Sequence, residues 1–192
     1  MNLLNYGIRL KIIVEKIKLV VMEDNKMAEE KSVNKTETEE IRLDKKVTVR
    51  SIASWTTGST RKTSVGDITI PAMGSVLLSR EEIIAQGQNG NTLLTGIDGV
   101  GSHAEWYIED EYTRSELSFD VEDKKQEFLT EDAIKKIFDL KTKKSFEDNI
   151  KKCVVTRAEK IYLLHIIKTL GLNDYSKIAF CEEHCGHRVA DI

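Results

Sequence analysis

The sequence predicts an α+β protein: a small β-barrel or sandwich module, followed by a small bundle of three to four helices. Three observations predict it. Short β-branched runs separated by Gly, Asn and Asp turns occupy residues 46–120. A charged linker follows at residues 121–128. Residues 129–192 then place apolar side chains at helical spacing. We therefore expect two modules, the β module (46–120) and the helical module (129–192).

Composition limits the classes of function. The chain of 192 residues is long enough for two small modules with real cores. Its 29 basic and 32 acidic residues leave a net charge of -3. That balance gives no general attraction for nucleic acid or anionic membrane. Three cysteines, an odd number, do not make a secreted disulfide framework and favour a reducing environment.

The N-terminal extension, residues 1–45, differs from the rest. Residues 1–26 are rich in Ile, Leu and Val, but interspersed charges such as Lys11 and Glu15 rule out a secretory signal or a membrane span. The codons of residues 22–27 can contain a ribosome-binding sequence, GGAGG, so we expect translation to start at Met27. An amphipathic surface helix is the alternative. The polar residues that follow are expected to form a mobile tail.

The β module begins with a strand carrying Val47, Val49 and Ile52 and ending near Trp55. A turn-rich connection follows. Ile68 and Ile70 then alternate with polar residues, and residues 71–74 form a turn into a strand at residues 76–78. These short strands, with those predicted after residue 92, favour a small barrel or sandwich.

The remainder of the β module mixes a helix with further strands. Ser79 and Glu82 have the spacing of a capping box, which predicts a short helix from Arg80 to Ala85 with residues 83 and 84 facing inward. Leu93 and Leu94 are expected to begin another strand, and residues 98–99 suit a hairpin turn. Residues 104–109 alternate as a half-buried strand. We expect Trp55 and Trp106 to anchor the core.

Local capping signals define the helical module. Thr130 caps a first helix with apolar residues 134, 137 and 138 on one face, and residues 145–148 begin a second helix. Thr156 and Glu159 form a capping box for a third, which buries residues 161, 164, 167 and 170 and ends at Gly171. A fourth helix begins at residues 173–174 and stops at Gly186.

The densest cluster of potential metal ligands lies near the C-terminus. Cys181, His184, Cys185 and His187 are residue types that bind zinc, and the two cysteines share one face of a helix. His165 or Cys153 could add a ligand. However, no C-x-x-C knuckle is present, and cysteine is common as a small buried residue. We therefore predict core packing here, with no metal and no cofactor.

Other motifs have simpler structural interpretations. Residues 57–63 contain the residue types of a phosphate-binding loop without its spacing, and residues 96–101 match a dinucleotide fingerprint only in their glycines. A helix-turn-helix around Gly171 would place Glu182 and Glu183 against phosphates. No Ser-His-Asp, Cys-His or HExxH spacing supports catalysis, so we expect no enzyme and no catalytic residues. We interpret four cations of the β module as a solvated face: Arg50, Arg61, Lys62 and Arg80.

The layout from Val47 to Val189 resembles a group of small tailed-bacteriophage proteins of structural or unassigned role. The resemblance rests on Val47-Thr-Val-Arg50, on Ile68-Thr-Ile-Pro71 through Leu78, and on Leu172-Asn-Asp-Tyr-Ser-Lys177 with a closing helix that ends in a glycine like Gly186. In such relatives the position of Cys185 need not be cysteine. The resemblance implies a virion component and transfers no catalytic residue.

Two functional hypotheses follow. The first is a non-enzymatic virion structural or capsid-associated protein, located in the virion or the host cytoplasm, which contacts other phage structural proteins or itself as a homo-oligomer. The second is an intracellular accessory protein, either an inhibitor of a host factor or a weak nucleic-acid binder. We expect no membrane partner, and we expect nucleic-acid binding only through a local basic patch.

Overall fold

The computed structural model describes residues 42–121, 125–126 and 128–192, and it confirms the α+β class. The predictions made for residues 1–41, including the start at Met27, lie outside the described residues. Residues from Leu43 to Ile192 form one unit, so the β and helical modules pack together. None of the helices in the described ranges has the length and apolar character needed to cross a bilayer.

Two small antiparallel sheets form the β module. The first has the strand order β4-β1-β5, with β1 at Lys46–Ser51, β4 at Ser75–Ser79 and β5 at Trp106–Ile108. The second is a hairpin of β2, Thr57–Thr60, and β3, Asp67–Ile70. The connection after Trp55, which was predicted to be rich in turns, therefore contains a strand, β2. In the first sheet Val49 pairs with Val76 on one side and with Ile108 on the other.

The predicted barrel is wrong, because no closed barrel forms among the described residues. The strand predicted to begin at Leu93 and Leu94 does not form, and these residues instead lie in a short helix, Thr92–Thr95. Asn91 starts that helix by accepting a hydrogen bond from the Leu93 amide at 3.1 Å. The Asn91 side chain thus acts as a helix cap, which favours a helix over the predicted strand.

One face of the three-stranded sheet carries the core of the β module. Val47, Val49 and Ile108 point to this face, where Ile68 and Ile70 of the hairpin join them. Trp106, 1% exposed, is the largest buried side chain, and its indole Nε1 donates to Thr57 Oγ1 at 2.8 Å. The predicted anchoring role of Trp106 is confirmed.

Seven helices occur in the described ranges, numbered α1 to α7 here. Their bounds are Arg80–Gln88, Thr92–Thr95, Glu111–Glu116, Glu131–Phe138, Lys143–Cys153, Arg157–Leu170 and Tyr175–Cys185. A 3₁₀ turn, Val189–Asp191, closes the chain. Helices α4 to α7 share one hydrophobic cluster, centred on Ile134, Phe146, Ile150 and Leu164.

Most of the predicted helix ends are confirmed. Thr130 caps α4, Thr156 and Glu159 form the full capping box of α6, and Gly171 and Gly186 end α6 and α7 in left-handed conformations. One start was misplaced, because Thr142 rather than Ser145 caps α5. The predicted inward residues Ile161 and Leu170 are only half-buried, while Leu163 and Ile166 are buried.

The predicted capping box at α1 is only half present. Ser79 Oγ accepts from the Glu82 amide at 3.4 Å, as expected. The Glu82 carboxylate turns instead to the loop between β2 and β3. There it accepts from the amides of Lys62 at 2.8 Å and Thr63 at 3.0 Å, and from the Thr63 hydroxyl at 2.5 Å. This Glu82 clasp fixes the loop against α1.

The loop after α2 is a turn, although it joins no hairpin. Gly99 has a positive φ, 79°, which fits the turn predicted at residues 98–99. Asp98 holds the loop by accepting from the amides of Val100 at 3.0 Å and Ser102 at 3.1 Å. The flanking residues form only an isolated bridge between Gly96 and Ser102.

We expect Gly96→Ala to destabilise the protein by more than about 2 kcal/mol. A Cβ at Gly96 would lie 2.0 Å from the Ser102 carbonyl oxygen. Gly99→Ala is the matched control, because Gly99 also has a positive φ but nothing lies within 4 Å of its Cβ position. It should cost about 1 kcal/mol. Urea unfolding of both variants measures the difference, and equal losses would contradict the steric argument.

Candidate functional site: the junction cleft

The two modules meet through a third apolar cluster and a row of aromatic rings. Ile52, Ala53 and Ala158 form the buried part of the cluster, and Trp55 packs against it. The prediction that Trp55 anchors the β core is therefore wrong, since it lies at the junction, 5.1 Å from the Arg157 guanidinium carbon. Trp55 lies just after β1, where the chain leaves the first sheet, and its side chain reaches the helical module there.

Phe128 connects the rings on both sides of the junction. Its centroid lies 4.7 Å from that of Tyr107 in β5 and 6.3 Å from that of Tyr162 in α6. Tyr107 lies on the face of the sheet opposite the β core, so Phe128, from the connection between the modules, packs on that face. Aromatic pairs of this kind add to the stability of a packed interface. The relative position of the two modules is thus fixed by side chains from both.

A cleft with a volume of about 680 Å³ opens beside this junction. We call it the junction cleft. Its lining comes from the loop before β5, from the connection between the modules, and from α4, α5 and α6. The lining residues are Ser102, His103, Lys125, Phe128, Leu129, Ala133, Lys136, Ile137, Lys152, Cys153 and Glu159.

A contact between His103 and Glu159, which both line the junction cleft, joins the β module to the helical module. His103 Nδ1 donates to Glu159 Oε1 at 2.8 Å. The other carboxylate oxygen accepts from the amides of Val155 and Thr156, both at 2.8 Å. Glu159 therefore completes the capping box of α6 and also bonds to the β module through His103. Both of its oxygens have partners within the protein.

Lysines and apolar side chains form the rest of the cleft. Leu129 and Ile137 are each 8% exposed and contribute to its floor with Phe128 and Ala133. Lys136 and Lys152 are exposed, and no ion pair to either occurs among the described residues. Lys125 makes a long ion pair, with its Nζ 3.8 Å from Glu111 Oε1. The cleft therefore combines a positive rim with an apolar floor.

The residues of a nucleophilic site do not assemble around Ser102. Its hydroxyl donates to Asp98 Oδ2 at 2.5 Å. That bond belongs to the loop after α2, and it directs the hydroxyl proton to Asp98 rather than to His103. We interpret the His103–Glu159 bond as a structural link between the modules.

The predicted Cys/His cluster lies elsewhere, in and beside the helical core. Cys181 and Cys185 are buried, and burial raises the pKa of Cys181 to about 12 and that of Cys185 to about 11. His184 Nε2 donates to the Val154 carbonyl at 2.7 Å, while His187 is exposed. No metal-binding group of three or more such side chains occurs among the described residues. Core packing explains Cys181 and Cys185.

The remaining sequence candidates also find structural roles. His165 stacks on Tyr162, and Cys153 lines the junction cleft. Residues 57–63, which have the residue types of a phosphate-binding loop, form β2 and the start of the loop after it, where the amides of Lys62 and Thr63 are already occupied by Glu82. The interpretation of four cations as a solvated face fails at Arg80, which is buried.

A second cleft, of about 600 Å³, lies between the α4–α5 connection and α7. Its charged lining mixes four acidic residues with three lysines: Asp139, Glu147, Asp174, Glu183, Lys141, Lys143 and Lys177. Lys177 lies 3.3 Å from Asp174, and Lys143 lies 3.7 Å from Glu147. These charges compensate one another, so this cleft has no clear preference for a charged partner.

Sequence reasoning missed the junction cleft, because its residues are far apart in the chain. Only α4 gave a local signal, since Ala133, Lys136 and Ile137 share one face at helical spacing. Comparisons with models of protein families, with curated proteins and with solved structures found no match to this chain.

Proposed function

We propose that this protein is a non-enzymatic interaction module of a bacteriophage particle, either a virion structural protein or a capsid-associated one. The phage context rests on the resemblance of residues 47–189 to small tailed-phage proteins. The observation that supports an interaction role is the junction cleft, whose exposed lysines surround an apolar floor. The floor supplies the apolar contact that a protein interface needs at its centre, and the lysines supply a charged rim.

The arrangement of the modules also suits docking. The rings of Tyr107, Phe128 and Tyr162 hold the modules in one position, so a partner that enters the cleft contacts a preformed surface. A preformed surface loses less conformational entropy on binding than one that must first be ordered. Another phage protein and a second copy of this chain would both benefit from such a surface.

We expect the protein to be a stoichiometric component of purified phage particles. Quantitative mass spectrometry of gradient-purified virions, compared with the infected-cell lysate, measures this. A cytoplasmic enzyme of the same infection is the control for contamination, and it should be depleted from the particle fraction. A chain that is abundant in the lysate and depleted from particles to the same extent as this control would overturn the virion role and favour the accessory protein.

A further inference from the structure

We propose that the junction cleft binds an acidic segment of a partner protein that carries one large apolar side chain. This inference rests on the proposed interaction role and adds the chemistry of the partner. Carboxylates of the segment would pair with Lys136 and Lys152 at the rim. The apolar side chain would rest on the floor formed by Phe128, Leu129, Ala133 and Ile137.

The charge of the cleft argues for an acidic partner. Among the lining residues that the structure describes, three are lysines, and one, Glu159, is a carboxylate. The oxygens of Glu159 are already engaged by His103 and by two amides at the start of α6, so they are not available to pair with the lysines of the rim. Lys136 in α4 and Lys152 in α5 approach the cleft from different helices. A ligand with two separated carboxylates can therefore contact both.

The floor argues for a protein segment rather than a nucleic acid. Proteins that bind single strands stack bases on exposed aromatic rings. Among the described residues that line the cleft, Phe128 is the one Phe, Tyr or Trp, and its ring is already packed against Tyr107 and Tyr162. It is poorly placed to accept a base. An aliphatic or aromatic side chain needs only the edge of this ring together with the apolar neighbours.

Binding of short labelled peptides to the full chain tests the proposal by fluorescence anisotropy at low salt. The probe is Glu-Glu-Leu-Glu-Glu. Gln-Gln-Leu-Gln-Gln removes its charge, and Glu-Glu-Gly-Glu-Glu removes its apolar side chain. We expect the first peptide to bind most tightly and each of the other two to bind at least about tenfold more weakly. Added salt should weaken binding of the first peptide, because it screens charges at the rim.

Variants of the protein locate the contact. K136E and K152E should each weaken binding of the first peptide by about tenfold or more. K144E makes the same change of charge on an exposed position of α5 that does not line the cleft, and it should leave binding unchanged. All three positions are exposed, so folding should be retained, and circular dichroism checks this.

Three results would overturn the proposal: no binding of the acidic peptide at low salt, equal weakening by K144E, or tighter binding of a single-stranded DNA that K136E and K152E abolish. The test is independent of the virion assignment. A chain found in particles that ignores the acidic peptide would overturn only the partner chemistry. A chain that binds the peptide through Lys136 and Lys152 but is absent from particles would overturn only the virion role.

Discussion

Glu82→Gln should lower the free energy of unfolding at neutral pH by on the order of 3 kcal/mol. Glu82 is 0% exposed, and its carboxylate accepts four hydrogen bonds, from two groups of Thr63, the Lys62 amide and the Gln86 side chain. Burial alone would raise its pKa, but these hydrogen bonds outweigh burial and lower the pKa from 4.5 to about 2. The glutamine side chain would replace one acceptor oxygen with an NH₂ group. That group would face the donors that now bond to Glu82 and would not accept from them.

The effect of Glu82 should depend on pH in a defined direction. Because the folded pKa, about 2, lies below the ordinary value of 4.5, the ionised carboxylate stabilises the fold fully above pH 4.5. That stabilisation is lost as the pH falls from 4.5 towards 2. The difference in unfolding free energy between the original protein and Glu82→Gln should therefore shrink over this range.

Urea unfolding followed by tryptophan fluorescence at several pH values measures the Glu82 effect. Glu81→Gln is the matched control, because Glu81 lies in the same first turn of α1 but is exposed. It should change the stability by no more than about 0.5 kcal/mol. If Glu82→Gln cost as much at pH 2 as at pH 7, the clasp would not depend on the charge of the carboxylate.

The helix ends were predictable because their signals are local. Thr156 and Glu159 are three positions apart, and the capping box between them forms wherever that segment becomes helical. Gly171 and Gly186 end their helices through a backbone conformation that glycine adopts without strain. The start of α5 was misplaced by the same local reasoning, since Thr and Ser both favour the N-cap position and only Thr142 occupies it.

Glu82 shows why the β module was harder to predict. Its spacing from Ser79 is that of a capping box, and nothing within α1 distinguishes that use from another. Its actual partners, Lys62 and Thr63, lie about twenty residues earlier, in a loop placed by the β2–β3 hairpin. A pairing of this kind depends on the tertiary fold, which local patterns do not contain.

The junction cleft was unpredictable for the same reason on a larger scale. His103 and Glu159 are separated by 56 positions and belong to different modules. Glu159 was recognised as a cap, and that role is confirmed, but the cap uses only one of its oxygens for backbone amides. The second oxygen was left for a partner that the sequence could not identify.

Arg80→Met should lower the free energy of unfolding by about 3–5 kcal/mol, because it removes the two-bond cation of the partly buried Asp110 carboxylate and leaves only Lys45, whose Nζ lies 4.0 Å from Asp110 Oδ1. Arg80 is 8% exposed and donates to both oxygens of Asp110 at 2.9 Å, while its guanidinium lies 4.6 Å from the centroid of Tyr112. Asp110 also caps α3 through the Thr113 amide. The Arg80–Asp110 pair thus joins the start of α1 to the segment after β5, at opposite edges of the sheet.

Arg50→Met is the matched control for this pair, because Arg50 also pairs with an acid, Glu109, but is 58% exposed in its side chain. Its loss should cost less than about 1 kcal/mol.

Burial raises the pKa of Asp110, while bonds from Arg80 and Thr113 lower it to about 2, so removal of Arg80 should raise the pKa of Asp110. Arg80→Met combined with Asp110→Asn should recover part of the stability, since no charge is then left buried. Urea unfolding of the three variants measures these effects, and similar losses for Arg50→Met and Arg80→Met would show that burial does not decide the strength of the pair.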